Sequence, residues 1–208
     1  HNDHIGGLPY FLKLNSKAKV ILSGAIPATE YASMRRYQHS LTGDVDFSQD
    51  KDRFVFVNES CNVGAVKVYA NIDKQNSLPL GNMNLLCRDA AGQFMPDNFI
   101  HELAFVIDGV LFTGCAHSGI LNILQSIDVP ISLSIGGFHL LDSHLDQSYE
   151  NDEQLNRIAV CLHEDYPHVQ FYTGHCTGDH CYDMLSQSNN THIHQFHCGE
   201  EILLASNE

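Results

Sequence analysis

Short β-branched runs alternate with longer amphipathic segments along this chain, and that rhythm restricts it to a layered α/β fold rather than a helical bundle or an all-β sandwich. The clearest unit is a hairpin. Glu102 to Ile107 and Val110 to Thr113 are two apolar runs joined by Asp108-Gly109, a two-residue connection that favours a tight β-turn. Around it the pattern predicts helices over Leu8–Leu14, Ala28–Tyr37, Ser118–Ile127, Asp152–Tyr166 and Asp179–Gln187, with Ser118 as an N-cap and Pro167 as a stop. Strands are expected at Val20-Ile21-Leu22, Phe54–Val57, Ala65–Tyr69, Ile131–Ile135 and Val169–Tyr172, with a last hairpin from Ile193 to Leu204 through Cys198-Gly199. His39–Lys51 reads as polar loop, and Asn71–Asn98 as loop with short strands. No repeat or linker divides the chain, so residues 1–208 are expected to form one domain.

The 208 residues are 43% apolar, enough for a packed core. Eleven Lys and Arg against twenty-five Asp and Glu leave a net charge of -14, which removes the attraction behind nonspecific binding to nucleic acid or an anionic membrane. No apolar run approaches the ~18–20 residues that span a bilayer. No signal-peptide pattern opens the chain, and the seven cysteines form no CxxC pair, so a reducing cytoplasmic setting is the expectation. The expected partner is a small anionic molecule, with no nucleic acid and no membrane.

Fourteen histidines stand out, and several fall in four glycine-containing segments, the latter three of which follow a predicted strand. They occur in His1-Asn2-Asp3-His4-Ile5-Gly6-Gly7, in Thr113-Gly114-Cys115-Ala116-His117-Ser118-Gly119, in Gly136-Gly137-Phe138-His139 and in Thr173-Gly174-His175-Cys176-Thr177-Gly178. Loops leaving parallel strands converge on one edge of an open sheet, so these residues can share a cleft. Imidazole, carboxylate and thiolate are ligands for zinc and other first-row divalent metals. The pattern therefore points to a metal site.

His1-Asn2-Asp3-His4-Ile5-Gly6-Gly7 resembles the second part of the HxHxDHxGG signature of the metallo-β-lactamase superfamily. With the three later motifs in the same order, the chain resembles the branch of 7,8-dihydropterin-6-methyl-4-(β-D-ribofuranosyl)aminobenzene-5'-phosphate synthases, from His1 into the final hairpin. The resemblance implies an αββα sandwich lacking its opening strands, because the first histidine of the signature would lie two positions before His1. A fragment is thus the expectation. It also implies a one- or two-metal centre: His1 on the first ion, Asp3, His4 and His175 on the second, and Asp3 orienting the attacking water. Cys115 stands where the common pattern places a bridging aspartate, which makes His117 the stronger ligand candidate from that loop. The remaining ligand of the first ion is open among Asp97, His101 and Glu102. His139 is expected to line the cleft and meet the substrate's anionic group, with metal ligation or loop capping as its alternatives.

The function implied is a metal-dependent hydrolase, with two zinc ions first and manganese or iron as alternatives, acting on an ester or phosphoester-like bond. The pterin or ribosyl-phosphate synthase activity comes from the resemblance alone. A metal sensor or storage module and a di-iron redox protein of the same fold are the competing classes. Other histidines and cysteines have simpler readings: His192, His194 and His197 as exposed strand, His39, His144, His163, His168 and His180 as surface, and Cys176 and Cys181 as packing. Glu150–Glu153 reads as an acidic helix N-terminus.

Overall fold

The computed structural model describes residues 1–35, 37–144, 146–187 and 192–203. In chain order its strands are β1 (Val20–Ser23), β2 (Tyr31–Ser33), β3 (His39–Ser40), β4 (Phe54–Val57), β5 (Cys61–Val63), β6 (Val66–Tyr69), β7 (Leu85–Arg88), β8 (Phe94–Pro96), β9 (Ala104–Ile107), β10 (Val110–Phe112), β11 (Leu133–Ile135), β12 (Gln170–Thr173) and β13 (Ile193–Gln195). Its helices are α1 (Asn2–Ile5), α2 (Leu8–Leu14), α3 (Ile120–Ser126), α4 (Asp152–Asp165) and α5 (Asp179–Ser186). They form a mixed α/β fold. A seven-stranded sheet runs β13-β12-β11-β10-β9-β6-β5, a four-stranded sheet runs β3-β2-β7-β8, and β1 pairs with β4 alone.

Strand alternation sets the core. Val106, Leu111, Phe171 and Ile193 occupy one row across β9, β10, β12 and β13, so all four point to the same face. Helices α3, α4 and α5 cover that face with Ile120, Ile123, Leu124, Leu155, Ala159, Leu162 and Leu185. Helix α4 shows the helical period directly, burying Leu155, Ala159 and Leu162. Its start is fixed by a capping box, in which Asn151 Oδ1 accepts the Gln154 N–H and Gln154 Oε1 accepts the Asn151 N–H, both at 2.9 Å. The Asp108-Gly109 hairpin forms as expected, with both residues at positive φ.

Three local expectations are corrected. The span read as helix from Ala28 contains instead the end of a short 3-10 turn and β2, while residue 36 lies outside the described residues. Tyr31, Ala32 and Ser33 are all buried, with β3 paired on one side and β7 on the other, and this pairing overrides the helical preference of Ala, Met and Arg. Helix α3 begins after Gly119 at φ 85 rather than after Ser118, whose Oγ accepts no hydrogen bond among the described residues and so caps no helix N–H. The final hairpin is, among the described residues, one strand and a turn: Glu200 N–H reaches His197 O at 3.1 Å with no returning strand, and residue 204 lies outside them. No helix among the described residues is long and apolar enough to cross a membrane.

Candidate metal centre

Strands β10, β11 and β12 are consecutive and parallel, with Phe112, Ile135 and Tyr172 in register, so their C-terminal loops leave side by side. Main-chain bonds lace the exits together: Thr113 N–H to Ile135 O at 3.0 Å, Gly136 N–H to Tyr172 O at 3.0 Å and Gly137 N–H to Gly114 O at 2.8 Å. Each loop also holds one non-glycine residue in the left-handed region: Ala116 at φ 57, His139 at φ 51 and His175 at φ 56. Such backbone is uncommon and concentrates at functional sites.

His1 leads into α1 and lies beside Asp97 and His101, the first two of the three candidates for the remaining ligand. His1 Nε2 is 3.8 Å from Asp97 Oδ2, and His101 Nδ1 is 3.7 Å from Asp97 Oδ1. These distances are too long for hydrogen bonds and suit donors arranged around one ion. The His117 ring is 5.1 Å from that of His1. Its Nδ1 faces Asn82 Oδ1 at 3.0 Å while Asn82 Nδ2 donates to His117 O, so the proton belongs on Nδ1 and the Nε2 lone pair is free. Burial holds the His117 pKa well below 6.5 and brings His101 to about 4, so both rings are neutral.

Glu102 has a different task. Its Oε1 accepts the His117 N–H at 2.6 Å and its Oε2 the Ser118 N–H at 2.7 Å, fixing the loop after β10. Burial raises its pKa against the opposing pull of those bonds.

Asp3, His4, Cys115 and His175 form a second cluster, their ligand atoms within 4.8 Å of one another. Asp3 Oδ2 is 3.4 Å from His175 Nε2 and 3.7 Å from His4 Nε2. Cys115 is buried below them, its Sγ 3.0 Å from His4 Nε2. A hydrogen bond to Cys176, together with burial, pushes the Cys115 thiol up to about 12. The bond to Cys115 raises the pKa of His4.

The expected site residues His1, Asp3, Cys115, His117, His139 and His175 all line one cleft of about 680 Å³, while His4 borders an adjoining cavity that shares His1, Cys115 and His117. His139 is buried at the cleft, 4.2 Å ring to ring from His117. Cys176, read from sequence as packing, lines the same cleft and lies with Cys115 and His139. Arg35 also lines it and bonds His144 at 3.0 Å; its signal in the sequence was a cation in a chain with few. Elsewhere, His192 is buried and stacked on His163 at 5.2 Å, so it is core rather than exposed strand. His194 bonds Gln170, away from the cleft.

The donor set fits divalent metal. His1 Nε2, Asp97 Oδ2, His117 Nε2 and both ring nitrogens of His139 are buried without a hydrogen-bond partner among the described residues. Dehydrated, unpaired donor atoms are costly unless something else satisfies them. His1, Asp97, His101 and His117 could hold one ion, and Asp3, His4, Cys115 and His175 a second.

No family model matches the chain. It is 33% identical over 104 residues to an uncharacterised protein of Methanocaldococcus jannaschii, a match covering 48% of this chain and 36% of that protein. It is 26% identical over 120 residues to the 7,8-dihydropterin-6-methyl-4-(beta-D-ribofuranosyl)-aminobenzene-5'-phosphate synthase of the same organism, covering 53% of this chain and 38% of that one. Both matches thus take in well under half of the curated relatives. A crystal structure described as a metal-dependent hydrolase of the beta-lactamase superfamily superposes with a TM-score of 0.70 at 21% identity, over 92% of this chain and 73% of that one. By that superposition, with three helices packed on a face of its seven-stranded sheet, the chain has the metallo-β-lactamase fold.

Proposed function

We propose that the protein is a metal-dependent hydrolase that activates water against an ester or phosphoester-like bond of a small anionic molecule. The observation that carries this is the pair of donor clusters, His1–Asp97–His101 and Asp3–His4–Cys115–His175, whose members His1, Asp3, Cys115 and His175 line one cleft. A pair of divalent ions, zinc first, supplies there the lowering of a water pKa and the polarisation of the bond attacked. Asp3 is half-exposed at the cleft, facing His4 and His175, and its carboxylate orients the attacking water and takes up its proton. Asn82 holds the His117 tautomer, and Glu102 holds the loop that carries His117. Arg35, which lines the cleft together with Tyr37 and His39, supplies the positive side for an anionic group.

The experiment is hydrolysis of bis(p-nitrophenyl) phosphate by zinc-loaded protein beside an Asp3→Ala variant. Turnover lost in the variant supports the reading. Absence of turnover on this and a panel of esters favours a binding module. Iron rather than zinc in protein purified without added metal favours redox chemistry. A pterin or ribosyl-phosphate substrate is a second reading, favoured by the likeness to the dihydropterin-type synthase.

A further inference from the structure

Cys176 belongs to neither donor set above, yet it completes a third. The ligand atoms of Cys115, His139 and Cys176 lie within 4.8 Å of one another. They come from the exits of β10, β11 and β12, the three loops whose main chains are bonded together. Further bonds tie the second and third loops: Phe138 N–H to Thr177 Oγ1 at 3.0 Å, and Gly178 N–H to Leu140 O at 2.8 Å. The cluster is therefore preformed by the sheet edge.

The two sulfurs have partners, Cys115 Sγ facing His4 Nε2 at 3.0 Å and Cys176 Sγ facing Cys115 O at 3.6 Å, but the imidazole between them does not. His139 is more than nine-tenths buried, and neither ring nitrogen has a hydrogen-bond partner among the described residues. Cys115 is buried and Cys176 partly so. An imidazole dehydrated at both nitrogens and set against two thiols is costly unless a further group joins them. The surrounding backbone makes room for this arrangement. A Cβ on Gly137 would lie 2.3 Å from Cys176 Sγ, and one on Gly81 would lie 3.0 Å from His139 Cδ2. Glycine at both positions leaves the space in which the sulfur and the ring sit.

We propose that Cys115, His139 and Cys176 form a soft-metal site that binds a zinc-class ion through two thiolates and one imidazole, with Cys115 shared with the Asp3–His4–His175 set. Thiolate donors select zinc and softer ions over magnesium or manganese. Bonds of ~2.3 Å to sulfur and ~2.0 Å to nitrogen in a tetrahedron set the donor atoms roughly 3.5–3.8 Å apart, so a contraction of at most about 1 Å closes the cluster. Binding a divalent ion forms two metal–sulfur bonds and one metal–nitrogen bond and releases both thiol protons to solvent, with no change in oxidation state.

Cobalt(II) chloride, titrated into reduced, metal-free protein under nitrogen, reads the site without turnover, because thiolate ligands give a sulfur-to-cobalt absorption band in the near ultraviolet. Wild type is expected to show a band of two-thiolate intensity, Cys176→Ser about half of it, and His139→Ala a cobalt affinity at least roughly tenfold weaker. A melting curve checks that each variant folds, and cadmium-113 NMR of the unmodified protein counts sulfur ligands if one does not. A wild-type band of one thiolate or none, or an unchanged band in Cys176→Ser, overturns the site. A two-thiolate spectrum in a protein that hydrolyses nothing keeps the site and removes the hydrolytic reading, and turnover without the band does the reverse.

Discussion

Glu102 precedes His117 by fifteen positions, and its Oε1 accepts the His117 main-chain N–H at 2.6 Å while its Oε2 takes the next one, from Ser118, at 2.7 Å. One buried carboxylate thus fixes the start of the loop that carries a candidate ligand. Removing it in Glu102→Ala leaves two buried N–H groups unpaired and is expected to cost about 3 kcal/mol of stability. Zinc affinity should fall with it, because His117 loses its position. Urea unfolding and a zinc titration measure both, and a variant as stable as wild type would contradict the assignment.

His175 and His194 separate site from sheet edge. His175 faces Asp3 at 3.4 Å, whereas His194 bonds Gln170 and stacks on Tyr172. His175→Ala is expected to lower hydrolysis by at least about a hundredfold, and His194→Ala by less than about threefold. Equal effects measured on the same substrate would contradict the placement of the cleft.

The sequence already shows much of this geometry, and the reasons differ by element. The Asp108-Gly109 hairpin and α4 are local, set by turn chemistry and capping, and are readable from a few residues. The ligand from the stretch after β8 is not. Asp97, His101 and Glu102 all carry metal-ligating side chains within six positions, and the folding of Glu102 onto the β10 loop turns it to the His117 and Ser118 N–H groups instead. Tyr31–Ser33 reads as helix because its pairing partners, β3 and β7, are supplied by distant chain. Cys176 reads as packing because a half-buried thiol gives no sign of its neighbours before Cys115 and His139 are placed.

Acid should weaken the metal-free protein. Burial lowers the pKa of His117 well below 6.5 and that of His101 to about 4, so the unfolded chain binds protons at these residues before the folded one does. Their effect is absent above 6.5, and stability is lost as pH falls from there toward 4. The melting temperature should drop across that window, and His101→Gln should flatten the drop. A profile identical in the variant would contradict it.

Cys115→Asp exchanges the shared thiol for a hard oxygen. Metal should still bind beside Asp3, His4 and His175, with manganese gaining on zinc in competition. Elemental analysis after mixed-metal dialysis reads the ratio. Loss of folding in this variant would show that Cys115 serves the core instead.

The most direct measurement is a zinc-edge anomalous difference map from crystals of zinc-loaded protein. The structure expects one peak among His1, Asp97, His101 and His117 and another among Asp3, His4, Cys115 and His175. Peaks confined to surface histidines such as His180, with nothing along the cleft, would contradict the metal centre and the hydrolytic function built on it.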